Sequence, residues 1–385
     1  MEKKIALLFM LLCLVVAPVM LTTGSAYATN LEDAIAATPQ GTAEGQIDPN
    51  AAPGFLGIPG APAPNMIIGF LWAIWVGWIF STVGAFGGIM AGVGHITVFG
   101  LADYAKTFKE TSPVLNKLIT DSIRVSNQWL VGLSGAVSSF NYYRMGRLVL
   151  PLGIMLAIGS ISGSFLIPVI TAGKISLKAY LGYFGIVVFI IGGFLFYETT
   201  PKGQAGKKEA KAAAKAFENS HMKGAAKKDD AEQGVKVVSW GISKITFTFY
   251  GVEFTFKPIV PIIGGFFIAG LASFLGIGGG FLFVPFLTSI AGLPMFLVAG
   301  TSALTVLVGM IISIITYMGI KGVPVFWPLI GVELIGIFVG SMIGPRTSKY
   351  IPDIWLKRLF VVLAIYVGLR YTTKGFLGYS IVPPF

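Results

Sequence analysis

A small set of residues in this chain has the types and spacing to hold an anion in apolar surroundings. Gly276, Gly278, Gly279 and Gly280 crowd into five positions, and Gly92 and Gly94 stand beside His95. Each glycine costs a helix about 1 kcal/mol, so the Gly276–Gly280 run predicts a helix break. A broken helix frees backbone N–H groups that can face an anion. Ser122, Thr301 and Ser302 add hydroxyls, and Arg124 adds a guanidinium suited to paired hydrogen bonds with a sulfonate, sulfite or carboxylate. Glu333 lies in an uncharged stretch, where a carboxylate must find a partner or take a proton, and its sharp reading is proton coupling. Each residue also has a plainer reading. The glycines can pack helices, and the hydroxyls can bond their own backbone. Arg124 can be an anchor paired with Asp121, Glu333 a neutral structural group, and His95 a hydrogen-bonded bridge between helices.

The elements that position these residues must be membrane helices. The 385 residues are 55% hydrophobic and only 12% charged, with a mean hydropathy of +0.80. A soluble domain carries about 25% charged residues and has too little interior to hide such an apolar excess. A soluble enzyme or nucleic-acid-binding module is excluded. The 50 glycines suit close helix packing in a bilayer. The net charge of +11 reads as a positive-inside bias. One cysteine, Cys13, and two histidines, His95 and His221, leave no disulfide and no multi-histidine metal site, so no cofactor is expected.

Residues 1–28 have a secretory signal's parts: Lys3 and Lys4, the apolar run from Ile5 to Leu21, and Ala26-Tyr27-Ala28. An uncleaved membrane helix is the alternative. Residues 29–65 hold four acids and no Lys or Arg, which reads as a flexible extracytoplasmic arm. Residues 198–257 carry eleven lysines and seven acids and read as a solvated cytoplasmic loop. Within it Lys207 to Lys228 suits a frayed surface helix, and His221 is expected to be solvated. Ile245 to Phe256 alternates Phe with Thr or Glu around Tyr250-Gly251, a hairpin pattern.

Met66 to Leu101 is 36 residues without a charge, about 54 Å of helix and too long for one crossing. It predicts two crossings, or one crossing and a broken segment. Further spans lie near 118–140, 148–170 and 178–197. Pro258 to Ile320 is uncharged over 63 residues, enough for roughly three passes. Spans near 325–344 and 355–373 follow. With 66–101 counted twice, the predicted inner loops hold 17 Lys+Arg and the outer segments 8. The eleven-lysine loop is then inside.

The two halves echo each other. Gly92 to Ile96 matches Gly276 to Gly280, and Asp121-Ser122 matches Thr301-Ser302. Pro151-Leu152, Gly159 and Gly163-Ser164 match Pro328-Leu329, Gly336 and Gly340-Ser341 with identical spacing. Five crossings per half make the second half inverted, with its binding site where Gly-broken helices correspond. The expected architecture is an all-α polytopic membrane protein of two helical repeats, 66–197 and 258–373, with a small hairpin in the central loop and a tail at 374–385.

Gly276 to Gly280, Val284-Pro285, Ala299-Gly-Thr-Ser302, Tyr317 and Gly319 to Val323 resemble the sulfite exporter TauE/SafE family of membrane permeases. The resemblance covers the two repeats. The first half departs from the pattern, with His95 in a glycine's place and Asp121 in place of Thr. What the resemblance implies is a carrier of small sulfur-containing or other organic anions in the cytoplasmic membrane. Its partners would be that anion and the bilayer, without nucleic acid; oligomeric state is left open. An anion channel, and a membrane sensor docking through 198–257, are the competing readings. Gly132-Leu133-Ser134-Gly135 resembles the nucleophile motif of intramembrane rhomboid proteases, but the only later histidine is His221 in the loop. No enzyme is expected.

Overall fold

A computed structural model describes residues 31–84, 87–171, 177–205, 207–222, 233–275 and 279–382. The expected signal segment and Gly276–Gly278 lie outside the described residues. Helices dominate. Among the described residues, Met66–Val83, Met295–Ile320 and Trp327–Ser348 are long and apolar enough to cross a membrane, and shorter apolar stretches occupy Leu150–Ser164, Gly185–Thr199 and Ile259–Gly270.

The first half contains α1 (Met66–Val83), α2 (Gly87–Val93) with a π turn at Gly94–Val98, α3 (Leu101–Thr107), α4 (Pro113–Arg144), α5 (Leu150–Thr171) and α6 (Leu177–Thr199). The Asn65 carboxamide oxygen caps α1, accepting from the N–H groups of Ile67 and Ile68 at 2.9 and 3.1 Å. Pro113 opens α4, where its missing N–H leaves no bond unmade. In the second half α9 (Ile259–Leu275) is followed by a 3₁₀ turn at Gly279–Leu282, α10 (Phe283–Pro285) and a π turn at Phe286–Ile290. Then come α11 (Met295–Ile314), α12 (Trp327–Ser348) and α13 (Asp353–Phe376).

The halves are interlocked. α1 packs along α12, and α9 packs along α5, so each half's first helix lies against the other half. Glycines set both contacts. A Cβ on Gly336 or Gly340 would strike the carbonyls of Phe70 and Ile74, and one on Gly159 or Gly163 would strike those of Ile262 and Phe266. Backbones this close pack through dispersion where the hydrophobic effect gives no drive. α4 lies on α11, and α6 lies on α13.

Residues 31–65, expected to be a flexible arm, form a packed cap over one end of the bundle. Ile47, Phe55 and Ile58 are buried with Leu101, Phe108, Leu115 and Leu329. The Thr38 hydroxyl donates to Ser112 at 2.8 Å, and Thr111 donates to the Gly45 carbonyl at 2.7 Å. The apolar side chains at every few positions supply the burial that composition alone conceals.

Among the described residues the central loop is partly packed against the bundle, with its lysine-bearing face exposed. α7 (Pro201–Ala205) leads to α8 (Lys208–Met222), whose Ala210, Ala213, Ala214 and Phe217 are buried. The expected hairpin is present as β2 (Ile245–Phe249) and β3 (Val252–Phe256), with Phe247 opposite Phe254. Tyr250 and Gly251 turn with φ of 49° and 77°, as a two-residue hairpin requires. A third strand, β1 (Lys236–Trp240), pairs antiparallel with β2 and adds to the two-stranded expectation. Phe217 stacks between Phe249 and Phe296, and the Arg147 guanidinium lies 5.0 Å from its ring.

Candidate functional site

Helix α1 stops at Gly84, whose φ of 85° favours glycine. A Cβ there would sit 2.7 Å from Ser302 Oγ, so the break abuts α11. The chain then doubles back along α1. A Cβ on Gly87 would meet Phe80, and the Trp72 indole N–H donates to the Met90 carbonyl at 3.2 Å. The uncharged 36-residue stretch is therefore one full helix and a shorter returning arm. After α9 the second half also runs into short helical turns, and α2 touches the Gly279–Leu282 turn.

The arms correspond more closely than the glycine echo implies. The π turns at Gly94–Val98 and Phe286–Ile290 are 192 residues apart at both ends. At that spacing Gly84, Gly87 and Gly88 match Gly276, Gly279 and Gly280. The first-half break is therefore at Gly84, not at Gly92–Gly94, which the structure places at the end of α2 and the start of its π turn. Glycines recur so often here that a register eight residues late also produces matches. The packing is reciprocal: Trp72 lies against Gly94 in one half, and Phe286 lies against Gly264 in the other.

His95 and Glu333, read separately in the sequence, meet. His95 Nε2 is 2.8 Å from Glu333 Oε2, and each side chain is 1% exposed. The other ring nitrogen, Nδ1, is 2.5 Å from Asn127 Oδ1 on α4. Gly92 faces the same amide, for a Cβ there would lie 3.5 Å from Asn127 Nδ2. The π turn of the first half is thus tied to α12 of the second half and to α4. Asn127 escapes the sequence reading; its one signal is an amide a turn beyond Arg124 in an apolar helix.

Arg124 is held rather than open. Its Nη1 donates to Asp121 Oδ1 at 2.6 Å and to the Tyr317 hydroxyl at 2.9 Å, and its side chain is 31% exposed. Lys321 Nζ lies 4.4 Å from the Tyr317 ring, so two cations flank that tyrosine. Thr301 donates to the Leu297 carbonyl at 2.7 Å and accepts from the Val149 N–H at 3.2 Å. Ser302 donates to the Ala299 carbonyl at 3.2 Å. These two hydroxyls follow the plainer reading, with Ser302 also lining the first break. Ser122 differs: its buried Oγ has no partner among the described residues, and neither has Ser126 one turn on. Gly279 and Gly280 open the 3₁₀ turn.

The second arm is fastened outside the bundle centre. Ser289 in its π turn donates to Glu198 Oε1 at 2.7 Å. Lys207 donates to the same oxygen at 2.5 Å and to the Thr288 carbonyl at 2.6 Å. Burial pulls the Lys207 ammonium below the usual lysine range, with Glu198 opposing that shift. Nearby, Arg147 donates to the carbonyls of Phe296 and Pro345 at 3.3 and 3.1 Å.

Comparison with known proteins agrees with this architecture. A family model described as "Sulfite exporter TauE/SafE" matches residues 70–371. A Methanocaldococcus jannaschii protein described as "Probable membrane transporter protein MJ0441" is 35% identical over 122 residues. That match covers 30% of this chain and spans 45% of the relative's length. No solved structure matches at a significant level.

Proposed function

The chain belongs to the sulfite exporter TauE/SafE family, and from that premise we propose that it is a secondary transporter of small sulfur-containing or organic anions in the cytoplasmic membrane. The observation that carries the proposal is the pair of glycine-broken arms that meet between the halves, each ending in a π turn at a matching position. Discontinuous helices at corresponding positions of two repeats are how carriers expose backbone dipoles at mid-membrane. The reading includes an inverted repeat. Its support is that α1, α4 and α12 begin beside the cap, whereas α9, α11 and α13 begin beside the central loop.

The anion would be held by the N–H groups at Gly84, Gly87, Gly279 and Gly280; the unpaired Ser122 hydroxyl lies toward the cap and would meet the anion on its way to that site. Arg124 would act from the rim, its Asp121 and Tyr317 contacts holding it in place. Gly276 and Gly278 complete the run outside the described residues. The 17-to-8 charge distribution supports a cytoplasmic 198–257 and an extracytoplasmic cap. A reporter fused in Lys207–Lys228 should be active only in the cytoplasm, and one in 29–65 only outside.

Purified protein in vesicles tests the function. Radiolabelled sulfite, thiosulfate, sulfonates and small carboxylates are offered in turn. Saturable uptake with counterflow is expected for at least one. Flux without counterflow would favour a channel, and no flux with any of them would leave a sensor docking through its loop.

A further inference from the structure

The buried His95–Glu333 contact joins the returning arm of one half to α12 of the other, at the cap end of the arm whose opposite end is the break at Gly84. Asn127 Oδ1 can only accept, so His95 Nδ1 carries a hydrogen. One further proton then lies between His95 Nε2 and Glu333 Oε2, and the pair is neutral whichever atom holds it. Other charges near the pair are engaged or solvated. On α4, Arg124 and Asp121 bond each other; on α3, Asp103 and Lys106 are exposed and Tyr104 is half-buried. α1 carries no charged residue, and Glu333 is the only charge on α12 before Arg346. Phe99 walls the imidazole, with ring centroids 6.1 Å apart.

We propose that His95 and Glu333 form a proton-binding site whose occupancy compensates the charge of the transported anion, so that one anion and one proton cross together. A proton entering from water makes the pair imidazolium plus neutral carboxylic acid, with a net charge of +1. That charge is costly in a dry site on its own and is offset at longer range, through the low-dielectric bundle, by an anion held at the break end of the same arm. Deprotonation after the anion leaves restores the neutral pair. The π turn carrying His95 can then move between arrangements without dragging a bare charge through the bundle. The proposal rests on the transport reading for its second half only; the proton site itself stands on the geometry.

The test has two arms on the full chain in lipid vesicles. Infrared difference spectra between about pH 5 and pH 8, the range where histidine pairs titrate, read proton uptake directly. A carboxylic-acid band is expected, newly formed if the resting proton sits on His95 or displaced if it sits on Glu333, absent in Glu333→Gln and shifted in His95→Gln, with circular dichroism confirming native helix content. A band that survives Glu333→Gln unchanged, or no band in the native chain, overturns the site. In the second arm, a sulfonate that stays anionic at every pH is driven inward while an internal dye reads pH. Acidification together with sulfonate entry is expected. Entry with no proton movement, or with protons moving the opposite way, overturns the coupling. An infrared band with no flux of sulfonate or of the other anions overturns the transport reading and leaves the proton site standing.

Discussion

The π turns that end the two short arms occupy matching places and are held by opposite means. The Gly94–Val98 turn is tied inside the bundle by His95 to Glu333 and Asn127, in a site that is 1% exposed. The Phe286–Ile290 turn is tied at the edge by Ser289 and Thr288 to Glu198 and Lys207, where Lys207 is 20% exposed. A backbone device repeated in both halves is therefore joined to two different electrostatic settings. Dry pairs are expensive to break because the remaining partner is stranded, whereas a wetter pair leaves its partner access to water. On our proposal proton chemistry belongs to the first half, while contacts with the central loop fasten the second.

Breaking the dry pair should cost the most. Glu333→Ala strands His95 and should lower stability by about 3 kcal/mol, read as a fall in Tm of the detergent-solubilised protein. The double variant His95→Phe with Glu333→Leu removes both polar groups and should recover much of that loss. A double variant less stable than Glu333→Ala would show that the pair is not the source of the penalty.

Next in size are the interlocking glycines. Gly340→Val and Gly163→Val each push a branched side chain into a facing backbone, and each should cost about 1–3 kcal/mol. Equal effects on Tm would sharpen the equivalence of the two interfaces; a large inequality would break it. Gly279→Leu, at the second break, should leave membrane insertion intact and abolish uptake.

The edge latch should respond more weakly. Glu198→Gln replaces a charged acceptor with a neutral one and should cost about 1 kcal/mol, less than Glu333→Ala. The sign for Lys207 follows from its lowered pKa. The folded chain holds that proton less tightly than the unfolded chain, so the cost of burying the charge fades as pH rises toward 10.5. Stability from this group rises over that window, and Lys207→Met should remove that part of the pH dependence of Tm.

The smallest change is at Arg124. Arg124→Lys keeps the charge and loses the planar fork, and should weaken anion affinity modestly. Arg124→Gln should weaken it further, with expression unchanged. Unaltered affinity in Arg124→Gln would make the residue an anchor for Asp121 and Tyr317.

Several of these elements are legible in the order of the amino acids. The uncharged run at 66–101 implies a double pass or a broken segment because its length exceeds a bilayer. The Phe/Thr alternation around Tyr250-Gly251 implies a hairpin because strand faces alternate with period two. The spacing of Gly159 and Gly163, and of Gly336 and Gly340, implies close helix contacts because residues four apart share a face. Each rests on local periodicity or length, which the chain carries in itself.

Other features depend on tertiary packing. Glycine has no side chain to mark a face, so the register of the first break is settled only where Gly84 abuts Ser302. The cap at 31–65 reads as flexible because its few apolar residues find partners on α3, α4 and α12 rather than on one another. His95 and Glu333 lie 238 residues apart, and nothing in either neighbourhood names the other. Their apolar flanks dictate that both groups must be satisfied away from water. That they satisfy each other follows from the interlocking of α1 with α12, because that contact brings the returning arm of one half onto the other.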